Sequence, residues 1–206
     1  MTQFIQIHPD DPQSRLIEKT VERLRQGALI VYPTDSGYAL GCQLDDKEVL
    51  ERLKRLRQLD DRYQFTLCCA DLAQAARFGQ IPNAAFRLMK SLLPGPFTFI
   101  LKASKEVPRR LQQPKRKTIG VRVPANEIAK ALVAALDEPM VTATLILPGE
   151  EEPMPDPYDI KDQLANQVDI LIDGGYLPYE PTTVVDMTDD VPAIVRQGKA
   201  LVPGLS

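Results

Sequence analysis

The residues best suited to chemistry lie in a polar turn near the start of the chain. Residues 34–37, Thr-Asp-Ser-Gly, separate two apolar runs, and the first run, residues 28–32, predicts a buried strand that Pro33 closes because proline has no backbone donor. Small hydroxyl and carboxylate side chains form turns readily, and at a strand end they lie beside exposed backbone N–H groups. The composition fits an ordinary hairpin, and it also suits a site for a small polar substrate.

Arginines near the ends of predicted elements are candidates for binding an anion. The chain has no Walker-type phosphate loop and no GxGxxG after a strand, so a nucleotide would need another partner. Arg55 and Arg57 end a predicted helix, and Arg196 lies near the end of the last predicted strand. Their guanidinium groups suit phosphate and carboxylate, although Arg55 and Arg57 alone also fit a solvated helix end. Arg122 interrupts an apolar strand, so we expect it to have an anionic partner or ligand.

Threonine hydroxyls form a second group of candidates. Thr142 and Thr144 alternate with apolar residues, so both should point to one face of a strand. Thr182 and Thr183 stand at the start of another predicted strand. Threonine is common in strands, so this pattern alone carries little weight.

The most basic part of the chain is the segment 102–117, which contains seven cationic residues and a single acidic one, Glu106. These cations are Lys102, Lys105, Arg109, Arg110, Lys115, Arg116 and Lys117. The segment could be a patch for nucleic-acid phosphates or merely solvated surface. The net charge of -3 and the pI near 5.3 argue against a protein that coats nucleic acid over its whole surface.

The cysteines and the one histidine offer little chemistry. Cys42, Cys68 and Cys69 are odd in number and two are adjacent, which suits neither a disulfide framework nor a zinc site, so we expect reduced core thiols and no metal site. His8 is the only histidine and stands beside Pro9. A catalytic triad would have to take its base from this N-terminal segment, so we interpret His8 as structural.

The elements that must position these residues alternate along the chain. We predict about nine strands and five or six helices, with Asp10, Asp11 and Pro12 starting the first helix. The later strands are predicted at 65–69, 97–102, 119–123, 140–147, 168–172, 183–187 and 193–196, and an acidic, proline-rich loop at 147–157.

The sequence therefore predicts an α/β fold with a mixed sheet in a single domain over residues 1–206, because several connections are too short for parallel crossovers. An apolar content of 44% is enough for one sizeable core. The sequence shows neither an apolar run of about 18 residues nor a secretory leader. We expect a cytoplasmic protein without a membrane partner.

Several motifs resemble those of the YrdC/YciO family, in the same order and at about the same spacing. They are PTDSGYALG at 33–41, Arg55-x-Arg57, PGPFT at 94–98, VRVP at 121–124, TAT at 142–144, PTTVVD at 181–186 and VRQG at 195–198. The first is similar to the family signature PT(E/D)TxYxLG, and the whole is most similar to the YciO branch. The resemblance implies a twisted mixed α/β sheet with helices packed on it and a basic concave face.

The resemblance also implies an activity. It is the formation of threonylcarbamoyl-AMP from ATP, L-threonine and bicarbonate, the first step towards threonylcarbamoyladenosine in tRNA. ATP would be a substrate, and ATP chemistry commonly runs with Mg²⁺. Members of the family have also been regarded as double-stranded RNA binders. The alternative is therefore a module that binds double-stranded RNA or tRNA, with a degenerate nucleotide cleft and a patch made of Lys105, Arg109, Arg110, Lys115, Arg116 and Lys117.

The resemblance assigns the other candidates to a cleft. It implies that Thr34 and Arg122 bind threonine and that Arg55 and Arg57 are the catalytic, phosphate-binding pair. It implies that the nucleotide is bound by Thr142, Thr144, Thr182, Thr183 and Arg196. Two departures weaken the expectation of full synthase activity, because the family usually has Lys at position 55 and Asn where this chain has Ile146.

Overall fold

Eleven strands form one mixed sheet in the computed structural model, which describes residues 1–205. The strands are β1 (Gln3–Gln6), β2 (Ile30–Thr34), β3 (Gly37–Gln43), β4 (Thr66–Cys68), β5 (Gly79–Gln80), β6 (Phe97–Ala103), β7 (Thr118–Arg122), β8 (Met140–Thr144), β9 (Ile170–Asp173), β10 (Thr183–Asp186) and β11 (Ala193–Arg196). Their order is β1-β9-β2-β3-β8-β4-β7-β6-β10-β11, and β5 pairs with β6. Parallel and antiparallel pairs occur together, which confirms the predicted mixed sheet.

Six helices pack on this sheet, as the periodicity predicts. They are α1 (Ser14–Arg25), α2 (Lys47–Arg57), α3 (Leu72–Phe78), α4 (Asn83–Leu92), α5 (Glu127–Leu136) and α6 (Pro157–Leu164). Asp46 and Asn126 accept backbone N–H groups at the starts of α2 and α5, and Pro157 occupies the first turn of α6. The side-chain caps, with Asp156 as the cap of α6, satisfy donors that a helix start leaves without partners, and proline has no such donor.

The two faces of the sheet are covered unequally. One face packs against α2, α3, α4 and α6 through a large apolar core. The other face is covered by α1 and α5, which contact each other and lie over β2 and β3. On that second face, these two helices leave uncovered the side chains of β8, β4, β7, β6 and β10 that line a cleft.

The start of α1 corrects one prediction. Asp10, Asp11 and Pro12 precede the helix, which begins at Ser14. The imidazole Nδ1 of His8 accepts the backbone N–H groups of Asp10 (3.2 Å) and Asp11 (3.1 Å), so these residues form a turn before the helix. His8 thus has a structural role, as predicted.

Several strand boundaries also differ from the prediction. Pro33 does not close β2 but lies inside it, opposite Tyr38. Proline is tolerated there because the neighbour on the other side, β9, pairs only with Ile30 and Val31. Strand β8 ends at Thr144, three residues earlier than predicted, and β1 and β5 were not predicted.

All three cysteines are buried free thiols, as expected. Burial raises the pKa of Cys42 to about 12 and that of Cys68 to about 11. None of the helices in residues 1–205 is both long enough and apolar enough to span a membrane. Within the same residues, no three His, Cys, Asp or Glu side chains are grouped closely enough to hold a metal ion.

Candidate functional site

A cleft of about 340 Å³ lies on the less covered face of the sheet. Six serine and threonine residues line it: Ser36, Thr66, Thr98, Thr142, Thr144 and Thr182. The guanidinium groups of Arg122 and Arg196 also line the cleft, and Tyr63 and Tyr179 contribute aromatic rings. Such a surface offers hydrogen bonds and positive charge to a polar anionic ligand.

Strand alternation explains why the hydroxyls gather on one face. Thr66 lies between two partners in register, Thr142 on β8 and Gly120 on β7, so side chains at these positions share a face. A Cβ atom at Gly120 would lie 2.5 Å from Thr66 Oγ1. Glycine therefore gives the Thr66 hydroxyl room on the floor of the cleft.

The buried charge of Arg122 has a partner within the protein. Its Nη2 atom forms an ion pair with Asp35, and its Nη1 atom donates to Ser36 Oγ at 3.1 Å. Asp35 also accepts the backbone N–H of Ala125 at 3.2 Å. Arg122 is only 5% exposed. Its bonds to Asp35 and Ser36 therefore fix the tip of the β2–β3 hairpin. The anionic partner expected for Arg122 is thus Asp35.

Thr34 belongs to the turn and is not a cleft-lining residue. Its hydroxyl donates to the carbonyl of Gly37 at 2.7 Å and accepts the backbone N–H of Ser36 at 3.1 Å. The side chain is almost fully buried. The neighbouring hydroxyl of Ser36 is the one that reaches the cleft.

The structure separates Arg55 from Arg57. Arg55 is exposed, and its Nε donates to the carbonyl of Glu51 in its own helix, away from the cleft. The guanidinium of Arg57 donates to the carbonyl of Thr144 and lies 6.0 Å from the ring centre of Tyr63. Only Arg57 therefore contacts cleft-lining residues.

The side chains of Thr182 and Thr183 also lie in different places, because neighbouring residues of an extended chain point in opposite directions. Thr182 lines the cleft, 2.9 Å from the hydroxyl of Thr98, and its oxygens accept from Arg196. Thr183 is fully buried, donates to the carbonyl of Ala200 and does not line the cleft. In the structure Thr183 contacts the C-terminal segment, and its assignment to the nucleotide site stays a prediction.

Tyr32 contacts the cleft floor from the side, on the same face of the sheet. Its phenol oxygen lies 2.6 Å from Thr142 Oγ1, and the residue is fully buried. Burial raises the pKa of Tyr32 well above its usual value, so the phenol stays protonated. Thr142 is 5% exposed, and it therefore links a buried phenol to the cleft surface.

The basic segment lies outside the cleft. Lys105, Arg109 and Lys117 border a separate depression of about 570 Å³. Arg116 pairs with Asp186 at 2.8 Å, and Arg110 donates to the carbonyl of Leu44. Among the cleft-lining residues of the described chain, none comes from this segment, and the basic concave face stays a prediction.

Several cleft residues were not predicted. Thr66 and Thr98 occupy alternating positions in predicted strands, and that alternation could have placed them on the face of Thr142. Tyr63 and Tyr179 come from loops, where sequence periodicity gives no direction. Ile146, predicted to remove a polar contact, does not line the cleft; its backbone N–H donates to the carbonyl of Thr144 at 2.9 Å.

The fold and cleft define a class: a mixed α/β protein with a hydroxyl-lined, arginine-bordered cleft on one face of its sheet. A family model named Sua5_yciO_yrdC and described as "Telomere recombination" matches residues 22–198. The chain belongs to this Sua5/YciO/YrdC family.

Relatives and solved structures agree with that assignment. The chain is 59% identical to "Uncharacterized protein YciO" of Escherichia coli (strain K12) over 198 residues, 96% of each chain. The crystal structure of E. coli YciO matches with a TM-score of 0.95 at 58% identity, covering 98% of each chain.

Two more distant relatives carry functional descriptions. "Threonylcarbamoyl-AMP synthase" of Coxiella burnetii is 29% identical over 179 residues, covering 85% of this chain and 95% of its own. The crystal structure of Pyrococcus abyssi Sua5 complexed with L-threonine matches with a TM-score of 0.87 at 26% identity. That match covers 96% of this chain and 58% of the Sua5 chain.

Proposed function

We propose that this protein forms threonylcarbamoyl-AMP from ATP, L-threonine and bicarbonate in the cleft, with weaker activity than its distant synthase relatives. Membership of the family and the similarity to threonylcarbamoyl-AMP synthases support this reaction. The product is an intermediate on the route to threonylcarbamoyladenosine in tRNA.

The observation that carries the proposal concerns two buried donors. Arg57 Nε and Arg122 Nε are the only fully buried side-chain nitrogen or oxygen atoms in residues 1–205 that have no hydrogen-bond partner. The Arg122 guanidinium lines the cleft and donates to Ser36, and the Arg57 guanidinium lies beside the cleft and donates to the carbonyl of the cleft-lining Thr144. Buried polar groups are normally paired, so two unpaired arginine donors beside one cleft favour an acceptor-rich anionic ligand.

The reaction suits a cleft without a strong base. Threonine nitrogen adds to the carbon of bicarbonate with loss of water, which gives a carbamate. A carbamate oxygen then attacks the α-phosphorus of ATP, and the bond to the leaving pyrophosphate breaks. Negative charge on the phosphate oxygens is the main quantity to stabilise, and hydroxyl and guanidinium donors do this when they are already oriented. Mg²⁺ would accompany ATP as part of the substrate.

We place the weaker activity beside the cleft, where Arg57 contacts Thr144 and Tyr63. Arg55 faces solvent, so the pair that the family motif implies acts here through Arg57 alone. The Arg57 guanidinium is already engaged by the carbonyl of Thr144, and a phosphate must share it. One shared guanidinium neutralises less charge than two free cations would.

The test is to incubate the purified protein with ATP, L-threonine and bicarbonate and to measure pyrophosphate and the adenylate by mass spectrometry. We expect product that requires all three substrates. Arg57→Ala should lower the rate about 10-fold or more, because removing one charge-stabilising donor commonly costs that much. Arg55→Ala, two residues away on the same helix, is the matched control and should remain near the wild-type rate. Absence of product above the protein-free background would refute the proposal.

A second candidate function is the binding of double-stranded RNA or tRNA. In the described part of the chain, no carboxylate lies within ion-pair distance of Lys105, Arg109, Arg110, Lys115 or Lys117, so these cations remain available to phosphates. Gel retardation of tRNA at rising salt tests this function. Replacing Lys105, Arg109 and Lys117 by Gln should abolish retention and reduce its salt dependence. If the variant still retains tRNA as the wild type does, the basic segment is not the RNA-binding site.

A further inference from the structure

We propose that Tyr32 is a positioning residue of the cleft, which holds the Thr142 hydroxyl so that its proton points at a phosphate oxygen of the bound nucleotide. The inference rests on the proposed function, because it requires a phosphate-bearing ligand in the cleft. It assigns a role to a fully buried side chain that does not touch the ligand. Thr142 Oγ1, 2.6 Å from the phenol oxygen, is the atom through which Tyr32 would act.

The sheet makes room for this contact. Tyr32 lies on β2 and Thr142 on β8, with β3 between them, so the phenol must reach across two strand spacings of about 4.8 Å each. Ala39 and Gly41 are the residues of β3 in register with Tyr32 and Thr142. A Cβ atom at Gly41 would lie 3.0 Å from Tyr32 Cε1. Small residues on the intervening strand therefore allow the ring to cross it.

The count of protons decides the direction of the hydrogen bond. In one arrangement the phenol donates to Thr142 Oγ1, and the hydroxyl proton of Thr142 is free for the cleft. In the other, Thr142 donates to the phenol, whose proton would turn to the nearby thiol of Cys68. A thiol sulfur is a weak acceptor, and a phosphate oxygen can only accept, so a bound phosphate selects the first arrangement.

The first arrangement also strengthens the cleft donor. Hydrogen bonds in a chain polarise one another, so a hydroxyl that accepts from the phenol becomes a better donor to the phosphate. Tyr32 can supply this proton over the ordinary pH range because its burial keeps the phenol neutral. Without Tyr32 the Thr142 hydroxyl could rotate and would lose this polarisation. A net hydrogen-bond contribution of the usual size corresponds to an affinity change of about 3- to 10-fold.

A double-mutant cycle on the full chain tests the inference. ATP affinity is measured by calorimetry for the wild type, Tyr32→Phe, Thr142→Val and the double variant. We expect Tyr32→Phe to raise the Kd about 3- to 10-fold in the wild type and to have no further effect in the Thr142→Val background. Thr142→Ser, which keeps the hydroxyl, should retain the sensitivity to Tyr32→Phe. Thermal unfolding of each variant reports whether it is folded.

Tyr38→Phe is the matched control. Tyr38 is equally buried, but its phenol donates to the carbonyl of Gly175 at 2.6 Å and does not line the cleft, so its removal should leave the Kd unchanged. Equal losses from Tyr32→Phe with and without the Thr142 hydroxyl would mean that the Tyr32 hydroxyl acts independently of Thr142, and would overturn the positioning role alone. An unchanged Kd in Tyr32→Phe would do the same. A wild-type protein that binds no ATP would overturn the proposed function together with this inference.

Discussion

Replacing Asp35 by Ala should destabilise the protein more than any comparable change at an exposed carboxylate. The side chains of Asp35 and Arg122 are 13% and 6% exposed, so the substitution leaves a guanidinium charge buried without its counter-charge. Removing one partner of a buried ion pair costs about 3–5 kcal/mol. The backbone N–H of Ala125 also loses its acceptor. For a domain of about 200 residues, the expected fall in Tm is about 6–20 °C.

The assay is urea unfolding at pH 7 followed by circular dichroism, with Glu127→Ala as the control. Glu127 pairs with Lys130, and these side chains are 51% and 42% exposed, so the control should lose about 1 kcal/mol or less. Replacing Asp35 by Leu and Arg122 by Met together should recover most of the loss, because both buried charges are then removed. An Asp35→Ala variant as stable as Glu127→Ala would show that Asp35 does not compensate the Arg122 charge.

Three further predictions concern the C-terminal segment, the response to acid and the thiols. Gly198→Ala should cost about 1–3 kcal/mol in urea unfolding, since its Cβ would overlap the backbone carbonyl of Pro181, whereas a native-like midpoint would show that the segment can shift. Burial raises the pKa of Asp186, but the hydrogen bonds from Arg116 and Thr188 and the charge of Arg116 together outweigh burial, so the folded pKa is lowered. The resulting stabilisation is present above about pH 4 and is lost as pH falls through the folded pKa. The urea midpoints of wild type and Arg116→Ala should therefore converge between pH 5 and pH 2, and a constant gap would contradict this linkage. Burial raises the pKa of Cys42 to about 12, so a thiol reagent at pH 8 should label it only after denaturation, and labelling of the folded protein would refute its burial.

Regular elements could be predicted because local signals agree with the tertiary fold. Asp46 and Asn126, residue types that favour helix starts, cap α2 and α5, and the apolar face of α2 follows the helical period. The strands β1 and β5 lack such signals, because they are short and lie at or near the edge of the sheet. Their pairing depends on distant partners, which the local sequence does not specify.

Candidates that are close in sequence differ in the direction in which their side chains point. Residues two apart on a helix do not share a face, so Arg55 and Arg57 could have been separated from helical geometry alone. Thr182 and Thr183 could be separated in the same way once the chain there is known to be extended. The sequence did not indicate which member of each pair faces the cleft, because that depends on how Thr144 and Arg196 pack from elsewhere in the chain.

Several polar groups of the cleft are already held in place by hydrogen bonds within the protein. The hairpin tip is held by Asp35 and Arg122, and the far wall by Arg196, whose guanidinium donates to the carbonyl and hydroxyl of Thr182. A hydroxyl has one proton and two lone pairs, so the Thr182 hydroxyl, held by Arg196, retains hydrogen-bonding capacity for a ligand. Side chains fixed before binding lose little entropy on binding, and affinity then depends on the direction of the remaining donors. A ligand should therefore find this cleft nearly in its bound shape, and changes that reorient a donor should weaken binding more than changes that only widen the cleft.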